Sequence, residues 1–166
     1  LKRMAAAPAP ALYTIGYQGA SLTAFIATLK SAGVRTLVDV RHQPFSMRPE
    51  FRQRALAEAL EKFGIAYLHL KQLGNPPESR DAARAGDRAR YRLLFQAHLD
   101  HASTRAALDR VIGLCAEGAS ALMCLERDPK DCHRSMVADR VAGLAGLAFA
   151  HLHPAGPAPA RQDQLL

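Results

Sequence analysis

LYTIGYQGASLTAFIATLKSAGVRTLVDV, residues 12–40, carries the fold in its changes of period. Leu12 to Gly16 is a short apolar run with β-branched members. Ser21 can then cap a helix whose Leu22, Phe25, Ile26 and Leu29 share one face, and Gly33 ends it. Val34 to Val40 is a second apolar run, so strand, helix and strand follow one another within thirty residues.

The same alternation continues to the far end. Glu50 to Phe63 repeats a helical face through Phe51, Leu56, Ala59, Leu60 and Phe63 and stops at Gly64, before Ile65 to Leu70 reads as a third strand. Pro76-Pro77 punctuates a polar stretch that reads as a loop. Ala89 to Asp100 and Thr104 to Glu117 are helical, the second capped by Ser103 and stopped by Gly118. Ala119 to Leu125 is a fourth strand, His133 to Leu144 a helix, and Leu147 to Leu152 a fifth strand. Helices of this length between apolar strands predict a three-layer α/β domain, with a mostly parallel sheet of about five strands and helices on both faces.

Length and charge narrow the classes. With 166 residues, 49% of them hydrophobic, the chain can bury a core of its own. Residues 1–10 and 154–166 are rich in Ala and Pro without apolar period and read as disordered tails around a single α/β domain at 11–153. The net charge is +7. Setting aside Lys2, Arg3, Arg161 and Asp163 leaves 19 basic and 14 acidic side chains, a balance of +5. Only 5 of the 22 basic residues are Lys, and such arginine-rich usage also follows from a GC-rich genome. This charge permits an anionic partner without demanding one. No window approaches the roughly 18 apolar residues of a membrane span, and no charged start with an apolar core marks a secretory signal, so a cytoplasmic protein with no membrane partner is expected. Three cysteines are an odd count and suggest reduced thiols rather than a disulfide framework.

In open parallel sheets ligands bind beyond the carboxyl ends of the strands, and the unusual residues fall there. After the first strand, Gly16-Tyr17-Gln18-Gly19 is either a plain turn or a loop that lets backbone approach a ligand. After the second, Asp39 sits in an apolar run, where a carboxylate needs partners, and is expected to orient its neighbours. Arg41 could present its planar guanidinium to an anion or pair with Asp39 or Glu126. Arg48, Arg52 and Arg54 are either a solvated helix face or the approach for a polyanion.

The densest signal is Cys124-Leu125-Glu126-Arg127-Asp128-Pro129-Lys130-Asp131-Cys132-His133-Arg134-Ser135. Pro129 forces a turn, and the apolar period from Met136 puts Cys132 to Ser135 at a helix start. Unpaired N–H groups there favour anions and lower a thiol pKa. Cys132 is therefore a candidate nucleophile, with Glu126 or His133 as proton donor or acceptor and Arg134 as an anion clamp. The other reading makes Cys132 a packed residue at the helix start, with Asp131 as the cap; Glu126, Asp128 and Asp131 would oppose a thiolate. A spacing of eight between Cys124 and Cys132 matches no common zinc pattern, Cys124 is expected to point along a buried strand, and no metal or cofactor is expected. His69, His151 and His153 read as core or strand-end histidines.

Thr14-Ile15-Gly16-Tyr17-x-Gly19, Val38-Asp39-Val40-Arg41-x-x-Pro44-x-Ser46 with Pro49-x-Phe51, Leu70-x-x-Leu73-Gly74, and Cys124-x-Glu126-x-x-Pro129-x-x-Cys132-His133-Arg134 together resemble the family catalogued as domain of unknown function 488, DUF488. The resemblance runs from about Leu12 to His151. It implies a compact bacterial or archaeal α/β domain whose defining blocks gather at one end of the sheet. The positions it carries over are Gly16, Tyr17, Asp39, Arg41, Pro44, Ser46, Glu126, Cys132, His133 and Arg134.

Residues 37–41 are also similar to a rhodanese segment. Cys132 and Arg134 are two apart, however, too close for the longer cysteine-to-arginine loop of rhodaneses and phosphatases. Three expectations follow. One is a cysteine-dependent enzyme acting on a nucleotide or other anionic substrate, with catalytic Cys132, Glu126 and His133; Arg41, Arg134, Tyr17, Gly16 and Ser46 as anion-binding residues; and Asp39 and Pro44 as structural ones. The second is a non-catalytic nucleic-acid-binding module using the arginines with Tyr17 or Phe45 as a stacking surface. The third is an interaction domain whose polar cluster is structural.

Overall fold

Leu12–Gly16 forms β1, buried throughout. Ser21 is extended and its hydroxyl accepts the Ala24 N–H, opening α1 (Leu22–Ser31), which buries Phe25, Ile26 and Leu29. Gly33 follows with φ of 72°, the left-handed turn that directs the chain into β2 (Thr36–Asp39). The computed structural model describes residues 8–154. The expected tails lie outside the described residues, except for 8–10 and 154.

The remaining elements are α2 (Gln53–Glu61), β3 (Ala66–His69), α3 (Pro77–Arg84), α4 (Arg88–Leu99), α5 (Ala102–Glu117), β4 (Ser120–Cys124), α6 (Arg134–Ala145) and β5 (Phe149–Leu152). The five strands of the described residues are all parallel, in the order β3-β2-β4-β1-β5. One face of the sheet packs Tyr13, Ile15, Leu37, Ala121 and Met123 against α1 and α2. The other packs Leu12, Val38, Val40, Leu122 and Cys124 against α4, α5 and α6. This is the expected three-layer α/β architecture, with the parallel sheet buried on both sides. No helix among the described residues is long and apolar enough to cross a membrane.

Three local expectations are corrected. The segment 50–63 is not one helix: Pro49–Phe51 makes a 3₁₀ turn, Arg52 is extended, and α2 starts at Gln53. The break comes from Phe51, which is pinned in the core, stacked on Tyr17 at 4.5 Å and edge-on to Phe25 at 5.3 Å. The Pro76-Pro77 stretch is helical, because Pro77 occupies the first helical position, where a missing N–H costs nothing. Finally, α5 is not capped by Ser103. Asp100 closes α4, and the single extended residue His101 starts α5 at Ala102 with no side-chain cap.

The strand order creates one opening. The chain leaves β1 through α1 towards β2, and leaves β4 through α6 towards β5, in opposite directions over opposite faces. Because β1 and β4 are neighbours, with Gly16 aligned on Cys124, the crevice of a doubly wound sheet falls between their carboxyl ends.

Candidate functional site

The loops after β1 and β4 are zipped together at this crevice. The Tyr17 N–H donates to the Cys124 carbonyl at 3.3 Å and the Gln18 N–H to the Leu125 carbonyl at 2.9 Å, while the Gln18 side chain accepts the Arg127 N–H. Gly16 permits the approach: a Cβ there would stand 1.9 Å from the Glu126 carbonyl oxygen. Arg134, fully buried in the first turn of α6, ties the same loop from the other side. It donates through Nη1 to the Glu126 carbonyl and through Nη2 to the Arg127 carbonyl. Its Nε has no hydrogen-bond partner among the described residues.

This pinned loop brings Glu126, Cys132 and His133 together with Cys124. Cys132 closes the 3₁₀ turn Pro129–Asp131, and its sulfur accepts the Arg134 N–H at 3.5 Å. The His133 Nε2–H donates to the Val40 carbonyl at 2.7 Å. A carbonyl can only accept, so Nε2 carries the proton and Nδ1 of the neutral ring is the bare nitrogen. That Nδ1 lies 3.9 Å from the Cys124 sulfur and 3.9 Å from the Cys132 sulfur. The Phe95 ring packs edge-on to the imidazole at 5.3 Å. The Cys124 thiol donates to Glu126 Oε2 at 3.3 Å.

The electrostatics separate the two thiols. Burial works against a charge on Cys132. It is outweighed by the facing Cys124 thiol, by His133 and by Arg134, which together bring the Cys132 pKa well below that of an ordinary thiol. Cys124 goes the other way, raised by the facing Cys132, by burial and by the charge of Glu126. Glu126 is raised to about 7, chiefly by burial and then by the Cys132 charge. For His133, burial disfavours the cation but the Cys132 charge prevails and its pKa rises. The Tyr91 phenol on α4 is held protonated by burial and by Cys132, Glu126 and Cys124. These shifts favour charge on Cys132 and on His133 and keep the protons on Cys124 and Tyr91.

The residues expected after β2 form an adjoining group. Asp39 is fully buried and accepts the Arg41 N–H, Arg41 Nε at 2.9 Å, Arg41 Nη2 at 2.7 Å and the Tyr67 hydroxyl. Arg41 Nη1 donates to the Tyr17 hydroxyl and to the Phe45 carbonyl, each at 3.3 Å. The guanidinium is thus bidentate on Asp39 and wedged under the loop 42–46. Ser46 Oγ accepts the Arg48 N–H, and the Pro44 carbonyl accepts the Gln53 N–H. The two groups meet at consecutive residues: Val40 holds His133, and the Arg41 carbonyl accepts from His69 Nε2 at 2.8 Å.

Two clefts among the described residues open at this end of the sheet. One of about 400 Å³ is lined by Tyr17, Gln18, Ser46, Arg48 and the exposed Phe45 and Met47. The other, of about 710 Å³, lies beside Glu126 and is lined by Gln18, Arg127, Asp128, Lys130 and His153.

Tyr91, Tyr67 and the Val40 carbonyl were missed from the sequence, and Cys124 was weighed only as a metal ligand and set aside as a strand residue. For Cys124 a signal existed: the period of two at a strand end puts Cys124 and Glu126 on one side. Its sulfur faces the cluster rather than lying idle in the strand. With it, Cys124 Sγ, Cys132 Sγ and His133 Nδ1 all lie within 4.8 Å of one another, a donor set that a soft divalent ion could use although the spacing of eight argued otherwise.

The match to known families covers most of this construction, from 21 to 141. The chain belongs to the DUF488 family. The family is described as a domain of unknown function, so membership agrees with the resemblance while leaving the chemistry to be argued from the site. The matched span of the DUF488 domain includes both β2 and the Cys124 to Arg134 segment, and begins after the Gly16-Tyr17 loop. No curated protein and no solved structure matches the chain.

Proposed function

We propose that this DUF488 domain is a cysteine-dependent enzyme in which Cys132 is the nucleophile and His133 Nδ1 the base that ionises it. The observation that carries the reading is the hydrogen bond from His133 Nε2 to the Val40 carbonyl. It fixes the tautomer and turns the bare nitrogen onto the sulfurs before any substrate arrives. Glu126, with a pKa of about 7, can hold or deliver a proton near neutrality.

The substrate in this reading is a nucleotide or another anion. Arg41 and Arg134 support it indirectly, by holding the loops that frame the site, because their guanidinium groups are engaged with Asp39 and with the Glu126 and Arg127 carbonyls. The anionic portion would lie in the cleft bordered by Arg127 and Lys130, beside Glu126.

The test is the pH dependence of the ultraviolet absorbance that distinguishes thiolate from thiol, taken as the difference between the Cys115→Ser protein and its Cys132→Ser derivative. No reagent has to enter the buried site. An inflection well below the roughly 8.5 of a free thiol is expected. An inflection at or above that value removes the nucleophile.

A second reading, a nucleic-acid-binding module, draws on Phe45. Its ring is 56% exposed, with the Arg52 guanidinium 4.8 Å from its centre and Arg48 close by. Binding of single-stranded oligonucleotide that weakens steeply with salt and is lost in Phe45→Ala would support it. No binding at low salt would dismiss it.

A further inference from the structure

The proposed reaction needs one thiol, yet the structure buries two against one imidazole. Cys124 is fixed at the end of β4 and Cys132 at the entrance to α6, and seven residues separate them in a loop pinned by Gln18 and Arg134. Their sulfurs and His133 Nδ1 share a space in which no pair is more than 4.8 Å apart. The nitrogen is equidistant from the two sulfurs, so a single base serves either thiol in turn. Cys124 is the protonated partner, its S–H held by Glu126. At 4% and 5% exposure the two cysteines are best reached by a small molecule or a narrow group, and the neighbouring guanidinium group of Arg134 is occupied by backbone carbonyls.

Building on the reading of Cys132 as nucleophile, we infer that Cys132 and Cys124 are a redox pair, Cys132 reacting with a small hydroperoxide and Cys124 resolving the product as an intramolecular disulfide. The Cys132 thiolate attacks the outer peroxide oxygen. An S–O bond forms, the O–O bond breaks, the sulfur is oxidised to a sulfenic acid, and the departing alkoxide or hydroxide takes the proton that His133 Nδ1 removed from Cys132, leaving as alcohol or water and returning Nδ1 to its bare form. Cys124 then gives its proton to His133 Nδ1 and attacks the Cys132 sulfur. The S–S bond forms, the S–O bond breaks, and hydroxide leaves as water with the proton from His133. An external dithiol returns two electrons and two protons and restores both thiols.

The experiment uses chelator-treated, reduced Cys115→Ser protein exposed to one equivalent of hydrogen peroxide, then blocked, digested with trypsin without reduction and weighed. The expected product has lost two hydrogens and joins peptide 111–127, which carries Cys124, to peptide 131–134, which carries Cys132. In the Cys115→Ser/Cys124→Ser protein the reaction should stop at a Cys132 sulfenic acid that a cyclic 1,3-dione traps. In Cys115→Ser/Cys132→Ser, Cys124 should stay reduced under the same exposure.

Trapping of Cys132 sulfenic acid in the presence of an untouched Cys124 overturns the pair while leaving Cys132 as a nucleophile. A Cys132 that forms neither product overturns the redox inference; whether the nucleophile falls with it is decided by the absorbance test. Equal oxidation of Cys124 with Cys132 absent overturns the assignment of roles.

Discussion

Glu126 is a carboxyl held against its own ionisation, and replacing it with Gln should make the protein more stable at neutral pH. Burial and the neighbouring Cys132 charge raise its pKa from 4.5 to about 7. A carboxyl that holds its proton more tightly folded than unfolded stabilises the fold while protonated. That stability is fully present below about 4.5 and is lost as pH rises through about 7. Two and a half units at about 1.4 kcal/mol each set an upper bound of about 3.5 kcal/mol on the loss. The amide in Glu126→Gln would keep a neutral acceptor for the Cys124 thiol and carry no such loss. Urea unfolding of both proteins at intervals between pH 4.5 and 8 should therefore show curves that diverge in favour of Glu126→Gln, by about 2–3 kcal/mol at pH 8. In a Cys132→Ser background, where one cause of the shift is gone, the divergence should shrink. Parallel curves across this range would refute the placement of a strained carboxyl in the site, and divergence in the opposite sense would mean that ionised Glu126 is the stabilised form.

Three further outcomes follow from named contacts. His133→Gln removes the ring base, so the inflection of Cys132 thiolate absorbance should move up by about one unit or more; an unmoved inflection would mean that Arg134 and the helix start suffice. Gly16→Ala forces a methyl group onto the Glu126 carbonyl oxygen and should cost about 2–3 kcal/mol, read as a lower urea midpoint at unchanged slope, whereas a retained midpoint would show that the loop yields freely. Zinc ions should slow alkylation of Cys132 reversibly, with a chelator restoring the rate; identical rates with and without zinc would show that the three donors do not converge on one ion.

The fold was legible because its signals are local and repeated. Ser21 capping α1, Gly33 turning out of it and the buried run of β1 are each visible within a few residues, and the alternation gives a parallel sheet without knowledge of strand order. Helix limits failed where a distant contact decided them, as at Phe51, whose place between Tyr17 and Phe25 breaks the helical run. The cluster around Cys132 was legible in part. Glu126, Cys132 and His133 are close in sequence, and the structure gathers them. Arg41 bonded to Asp39 was one of the two alternatives open to it, and sequence offered no way to weigh them. Nothing in the chain's local pattern could say that Val40 would hold the imidazole from 93 positions away, or that Tyr91 would arrive from α4.

The position of β4 bears on how the molecule comes into being. β1 and β2 make no pairing with each other; each bonds only to β4 on its inner side, so the sheet stays in two pieces until residues 120–124 insert between them. During synthesis all of residues 12–119 must emerge before this keystone strand exists, and the open edges of β1 and β2 meanwhile invite mispairing. The same insertion carries in Cys124 and sets the approach of Cys132 and His133, so a chain halted before Ser120 holds no assembled thiol pair. Assembly of the thiol pair thereby waits until the chain has grown past β4 and into α6.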